Sequence, residues 1–209
     1  DEGVPQRTAG AQHAGGVGVR LFLERAHRKA SAAAELVAAV VHHGWVSFSR
    51  DRKHVYAIEA PAAQAKGFAV SPTSLKLVPL PLDHAATGAG LKNAPSHLAV
   101  DATGRVLLAA NYRDGLVAAI PRRADGTLGT PHPVRHTGQS VHPTRQLQPH
   151  VHSVTVSPDN RFVIVADLGL DKVYSYALDS AAAHLEPASP PFVATAPGSG
   201  PRHFKFGTD

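Results

Sequence analysis

The chain has 209 residues, enough to bury a sizeable core as one large domain or two small ones. It has no Cys, which excludes disulfide staples and thiolate chemistry. Basic groups exceed acidic ones by five, yet only 18% of residues are charged and 6% aromatic, with no basic run longer than Arg122-Arg123, which argues against a nucleic-acid surface.

No apolar run approaches the ~20 residues of a membrane span, and the N-terminus lacks the basic-then-apolar plan of a signal peptide. A soluble cytoplasmic protein is therefore expected, with neither nucleic acid nor membrane as partner. There is no Met at all, so a processed chain or a piece of a longer one is expected.

Residues 1–43 form an atypical N-terminal segment, expected to be loosely ordered. Its first part is rich in Gly, Ala, Gln and Arg around one apolar patch at 17–23, which could be a strand. Residues 30–42 carry alanines that favour a helix, whereas the repeat frame described next would make them an outer strand and linker. Both readings stay open.

From residue 44 a pattern recurs. Trp45 to Glu59, His97 to Asn111 and Ser153 to Asp167 each span fifteen residues, with a turn in the middle and a carboxylate or amide at the end. A fourth copy begins at His203, so the starts are 52, 56 and 50 residues apart. In the second unit strands are predicted over 96–100, 105–110, 116–121 and 126–134. In the third they fall over 152–157, 161–166, 172–178 and 185–195. The turns between them carry Asp101-Ala-Thr-Gly104, Asp125-Gly126 and Ser157-Pro-Asp-Asn160, the residue types that such turns require.

Short, evenly spaced strands in units of four at this period predict an all-β protein, a β-propeller of four-stranded antiparallel blades over 44–209. Propellers close into rings of typically four to eight blades, so three units and a first strand do not complete one. The chain is expected to be incomplete at its C-terminus and damaged at its N-terminus.

The first strand of each blade lines the central channel, so its opening residues converge on one mouth. Those positions are Gly44, Ser96, His152 and Arg202, followed by Trp45, His97, Ser153 and His203. His152 is the candidate general acid or base, since an imidazole exchanges protons near neutral pH. Arg202 offers a planar fork of donors for a carboxylate or phosphate. His150 and His152 make a His-x-His pair that could hold a metal, but no third ligand stands at convincing spacing. No metal and no cofactor is expected. Gly198-Ser-Gly-Pro-Arg202 reads as a tight turn that delivers the arginine rather than as a phosphate loop.

With these residues assembled, the chain resembles the lactonase-type seven-bladed propellers, the family of bacterial 6-phosphogluconolactonase and fungal carboxy-cis,cis-muconate cyclase. The resemblance rests on Pro95-Ser-His-Leu98, Ala110-Asn-Tyr-Arg-Asp-Gly115, Arg145-Gln146, Pro149-His-Val-His-Ser153, Asp167-Leu-Gly-Leu-Asp-Lys-Val-Tyr174 and Pro197-Gly-Ser-Gly-Pro-Arg-His203. It implies His152 and Arg202 as catalytic residues, with a glutamate and a second arginine that would lie beyond Asp209. His97, Arg145, His150 and His203 are expected to contact the substrate, a small anionic lactone or carboxylate. Lactone hydrolysis is the leading expectation. Muconate cyclisation, a non-catalytic binding platform and an inactive fragment are the alternatives, and the oligomeric state is open.

Overall fold

The second repeat buries the apolar residues of two consecutive strands without a break, which demands a packed neighbour on each face of their sheet. The computed structural model supplies both neighbours. It describes residues 18–19, 38–39, 45–59, 64–71, 77–81 and 92–207, and among these every regular element is a strand.

The first two strands, β1 (Gly18–Val19) and β2 (Ala38–Ala39), pair antiparallel. Between the two readings of residues 30–42, Ala38–Ala39 thus falls to a strand. The expected loose ordering of residues 1–43 otherwise lies outside the described residues, as does Gly44. The first blade is β3 (Val46–Phe48), β4 (His54–Glu59), β5 (Gln64–Val70) and β6 (Leu77–Pro79). The second is β7 (His97–Val100), β8 (Val106–Asn111), β9 (Leu116–Pro121) and β10 (His132–Arg135). The third is β11 (Val151–Val156), β12 (Phe162–Asp167), β13 (Lys172–Asp179) and β14 (His184–Ala194). Each blade is a four-stranded antiparallel meander in chain order.

Alternation along the central strands decides what packs where, because successive side chains leave a strand on opposite faces. Leu107 and Ala109 of β8, with Leu116, Ala118 and Ile120 of β9, join Tyr56, Ile58 and Ala65 of the first blade in one core. The residues of opposite parity, Val106, Leu108, Ala110, Val117 and Ala119, join Val151, Val154, Val163, Val165 and Tyr176 of the third blade in another. Each fully buried Leu or Val contributes about 2 kcal/mol of transfer free energy, so these two layers dominate blade stacking. Alanines at 109, 110, 118 and 119 let the sheets approach closely.

The turn between the first two strands is the same in all three blades. Arg52, Gly104 and Asn160 occupy one register position, and all have positive φ, at 57°, 71° and 61°. In the third blade a side chain also ties neighbouring turns together, since Ala102 N–H donates to Asn160 Oδ1 at 2.6 Å and Asn160 Nδ2 donates to Asp101 Oδ2 at 3.1 Å. The outer strand β14 carries Pro187, Pro190 and Pro191, which remove donors from an exposed edge.

Two expected strands are corrected. The strand read over 126–134 is β10, limited to His132–Arg135, because Asp125-Gly126 makes a turn with Gly126 at φ 90° and only a single bridge, Arg122 to Leu128, follows. The fourth first strand, expected from His203, is absent among described residues 201–207. A strand is held by its ladder, and among the described residues no strand pairs with this segment.

Candidate active site

Adjacent first strands pack against one another, β3 beside β7 and β7 beside β11, so their opening residues share one mouth. His97 opens β7 and is buried, with 7% of its surface exposed. Trp45, just ahead of β3, lies over it at 4.0 Å between ring centroids. His203 sits 6.0 Å from His97 and 6.1 Å from Trp45, and edge-on to His152 at 4.9 Å. Four aromatic rings from distant parts of the chain thus gather in one cluster.

His152 lies inside β11, not just ahead of it, at a break in register between Val151 and Ser153. Such an irregularity re-aims a side chain relative to the pleat. Ser96 Oγ anchors the same backbone, donating toward the carbonyls of His152 at 3.1 Å and Val151 at 3.3 Å. The half-buried ring of His152 receives the Nε–H of Arg202 on its Nε2 at 3.1 Å. The Nε2 lone pair is therefore the acceptor, which leaves the proton of the neutral ring on Nδ1. That Nδ1 is buried with no hydrogen-bond partner, as are Nδ1 of His97 and Oγ of Ser153. The three unmatched atoms thus lie on the first strands of adjacent blades.

Electrostatics keeps these imidazoles neutral. Burial first, then the neighbouring His203 and His152, pushes His97 down to about 4. Burial, then the Arg202 guanidinium and His203, also pushes His152 below the ordinary histidine range. At neutral pH His152 can accept a proton, and the Arg202 guanidinium lies against it.

His150 is placed by its neighbours. Its ring stacks on Tyr112 at 4.2 Å, its Nδ1 lies 3.1 Å from the Tyr112 carbonyl, and Tyr112 meets the ring of His152 edge-on at 5.8 Å. No group of three His, Asp or Glu side chains placed to hold a metal occurs among the described residues. Glycine is required just behind His150: a Cβ on Gly169 would lie 2.0 Å from the Gln148 carbonyl oxygen. Arg145 is exposed in the connection over 137–149, and its backbone N–H donates to His142 Nδ1 at 3.2 Å. The structure therefore gathers His97, His152, Arg202 and His203, adds His150 through Tyr112, and does not bring Arg145 into the cluster.

Sequence reasoning missed the groups behind the mouth. Asp167 is fully buried; its Oδ1 accepts the N–H groups of His150 at 2.8 Å and Gly169 at 2.9 Å. Its Oδ2 lies 2.6 Å from Nδ1 of buried His136, whose Nε2 lies 2.8 Å from the Tyr176 hydroxyl. A carboxylate can only accept, so His136 donates from Nδ1 and accepts a hydrogen bond from the tyrosine hydroxyl on Nε2. Burial, then Tyr174 and Asp167, raises Tyr176 well above the ordinary phenol range, consistent with its staying a donor. The terminal carboxylate of the third repeat was the visible signal; nothing in the sequence tied it to His136.

A family profile described as "Lactonase, 7-bladed beta-propeller" matches residues 8–209. A 6-phosphogluconolactonase of Bacillus subtilis is 40% identical over 114 residues, covering 54% of this chain and 31% of its own length. One from an Enterobacter species is 30% identical over 158 residues, 76% of this chain and 42% of that protein. Among solved structures, a periplasmic gluconolactonase of Pseudomonas aeruginosa superposes with a TM-score of 0.70 at 31% identity, covering 82% of this chain and 49% of that one. The chain spans less than half the length of these relatives.

Proposed function

The chain belongs to the seven-bladed β-propeller lactonase family, and we propose that its mouth hydrolyses a sugar lactone bearing an anionic group, such as 6-phosphogluconolactone. The observation that carries this reading is the neutral His152 held against Arg202 at 3.1 Å beside unmatched polar atoms. The 6-phosphogluconolactonase names of the curated relatives support the choice of substrate class.

In the free protein Arg202 occupies the lone pair of His152. A phosphate or carboxylate on the substrate competes for that guanidinium, and its arrival frees Nε2. His152 then takes a proton from water while the oxygen adds to the lactone carbonyl carbon. The ring C–O bond breaks, the departing alkoxide receives the proton from His152, and the new acid ionises, releasing one proton per turnover. His97, neutral at this pH, offers a hydrogen bond rather than a charge.

The test, in a protein that carries all seven blades, is proton release with 6-phosphogluconolactone and ultraviolet absorbance with a carboxymuconate. Hydrolysis of the lactone is expected, with kcat falling roughly 10² to 10⁴ in His152→Ala. Turnover of the muconate alone, or an unchanged kcat in the variant, would overturn the reading.

A further inference from the structure

We infer that Asp171 is the positioning residue for Arg202: its buried carboxylate holds the backbone of the turn that presents the guanidinium to His152. The inference rests on the role proposed above for the His152–Arg202 pair.

Asp171 lies in the connection between β12 and β13, with 4% of its surface exposed. Its Oδ2 accepts the N–H of Gly198 at 2.7 Å and its Oδ1 that of Gly200 at 2.7 Å. The same two oxygens accept Ser140 Oγ at 2.6 Å and Gln146 Nε2 at 2.8 Å, and the Asp171 carbonyl accepts the N–H of Thr195 at 2.8 Å. One carboxylate thus clamps the turn at both glycines and braces it against the connection over 137–149. Burial opposes its ionisation, but the hydrogen bonds from Ser140, Gly200, Gly198 and Gln146 outweigh burial and hold it below the ordinary carboxyl range.

The side chain is not needed for the loop it sits in. The equivalent position of the second blade is Gly115, at φ 61°, whereas Asp171 takes the same left-handed conformation at φ 52°. That conformation disfavours most side chains but tolerates Asp, and here the carboxylate also holds the turn at Gly198 and Gly200. From Gly200, at φ 54°, only Pro201 separates the clamp from Arg202, and proline's fixed φ leaves the chain little freedom to swing.

The experiment is an NMR titration of the histidine rings in the 209-residue chain, alone and with Asp171→Asn, Arg202→Ala, both together, and Ser140→Ala. The groups that face His152 are Arg202 and His203 from the C-terminal segment, His97 from β7 and Tyr112 from the second blade. Losing the nearby guanidinium raises the pH at which His152 titrates. Removing the negative charge of Asp171 by itself would lower it, so the two causes have opposite signs. Asp171→Asn is expected to raise it, the double variant to go no further than Arg202→Ala, and Ser140→Ala, which leaves both glycine contacts in place, to match the parent.

With inorganic phosphate as the probe, Asp171→Asn is expected to weaken binding about tenfold. A parent that fails to bind phosphate defeats the anion-anchoring role of Arg202 but leaves the titration as the test of positioning. A folded Asp171→Asn in which His152 titrates at or below the parental pH overturns the inference. Should that variant not fold, Gly200→Ala must raise the His152 titration instead, because a Cβ there would be strained by φ and lie 3.2 Å from Leu168 Cγ. No change in that variant overturns it equally.

Discussion

Replacing His97 by Gln isolates one buried imidazole as a source of acid sensitivity. The unfolded chain protonates this histidine through about 6.5, whereas the folded chain resists protonation down to about 4. Between those values the unfolded state binds more protons, so stability declines as pH falls through that window. At about 1.4 kcal/mol per pH unit the gap corresponds to at most about 3.5 kcal/mol. The ring lies beside exposed His203, and solvent screening there reduces the expected effect to about 1–2 kcal/mol. His54 and His152 are also held below the ordinary range, so the quantity to read is the difference between parent and variant. Urea unfolding at intervals from pH 7 to 4 should show the parent losing about 1–2 kcal/mol more than His97→Gln. Parallel stability profiles, or a steeper one in the variant, would refute a desolvated neutral His97.

Arg202→Lys keeps the charge but loses the planar fork, so KM for 6-phosphogluconolactone should rise about tenfold with little change in kcat; a fall in kcat at constant KM would instead place Arg202 against charge that develops during reaction. Tyr176→Phe removes the hydroxyl donated to buried His136 and should lower unfolding free energy by about 1–3 kcal/mol in a denaturant titration. An unchanged midpoint would mean that His136 finds another partner.

Much of the blade plan was legible because a period of two and a repeat of about fifty residues are local properties. The turn positions 52, 104 and 160 share one conformation although an arginine, a glycine and an asparagine fill them, and spacing alone had aligned them. Errors came where pairing rather than pattern decides: residues 126–131 have strand-like spacing but begin on a left-handed glycine, and described residues 201–207 pair with no strand. At the site, repeat alignment brought His97, His152, Arg202 and His203 to one mouth. It could not place Arg145, whose motif says nothing of which way an exposed connection folds.

Composition and periodicity by themselves determined that this chain is a series of antiparallel four-stranded blades with a histidine-rich mouth, since strand alternation and turn chemistry act over a few residues. Only the tertiary structure decided the hydrogen bonds that aim the mouth. The Asp167–His136–Tyr176 chain and the Asp171 clamp join residues 27 to 40 positions apart across loops and blades. Such contacts depend on where whole sheets come to rest, and that is set by the burial of Val106, Leu107 and their neighbours on opposite faces of one blade.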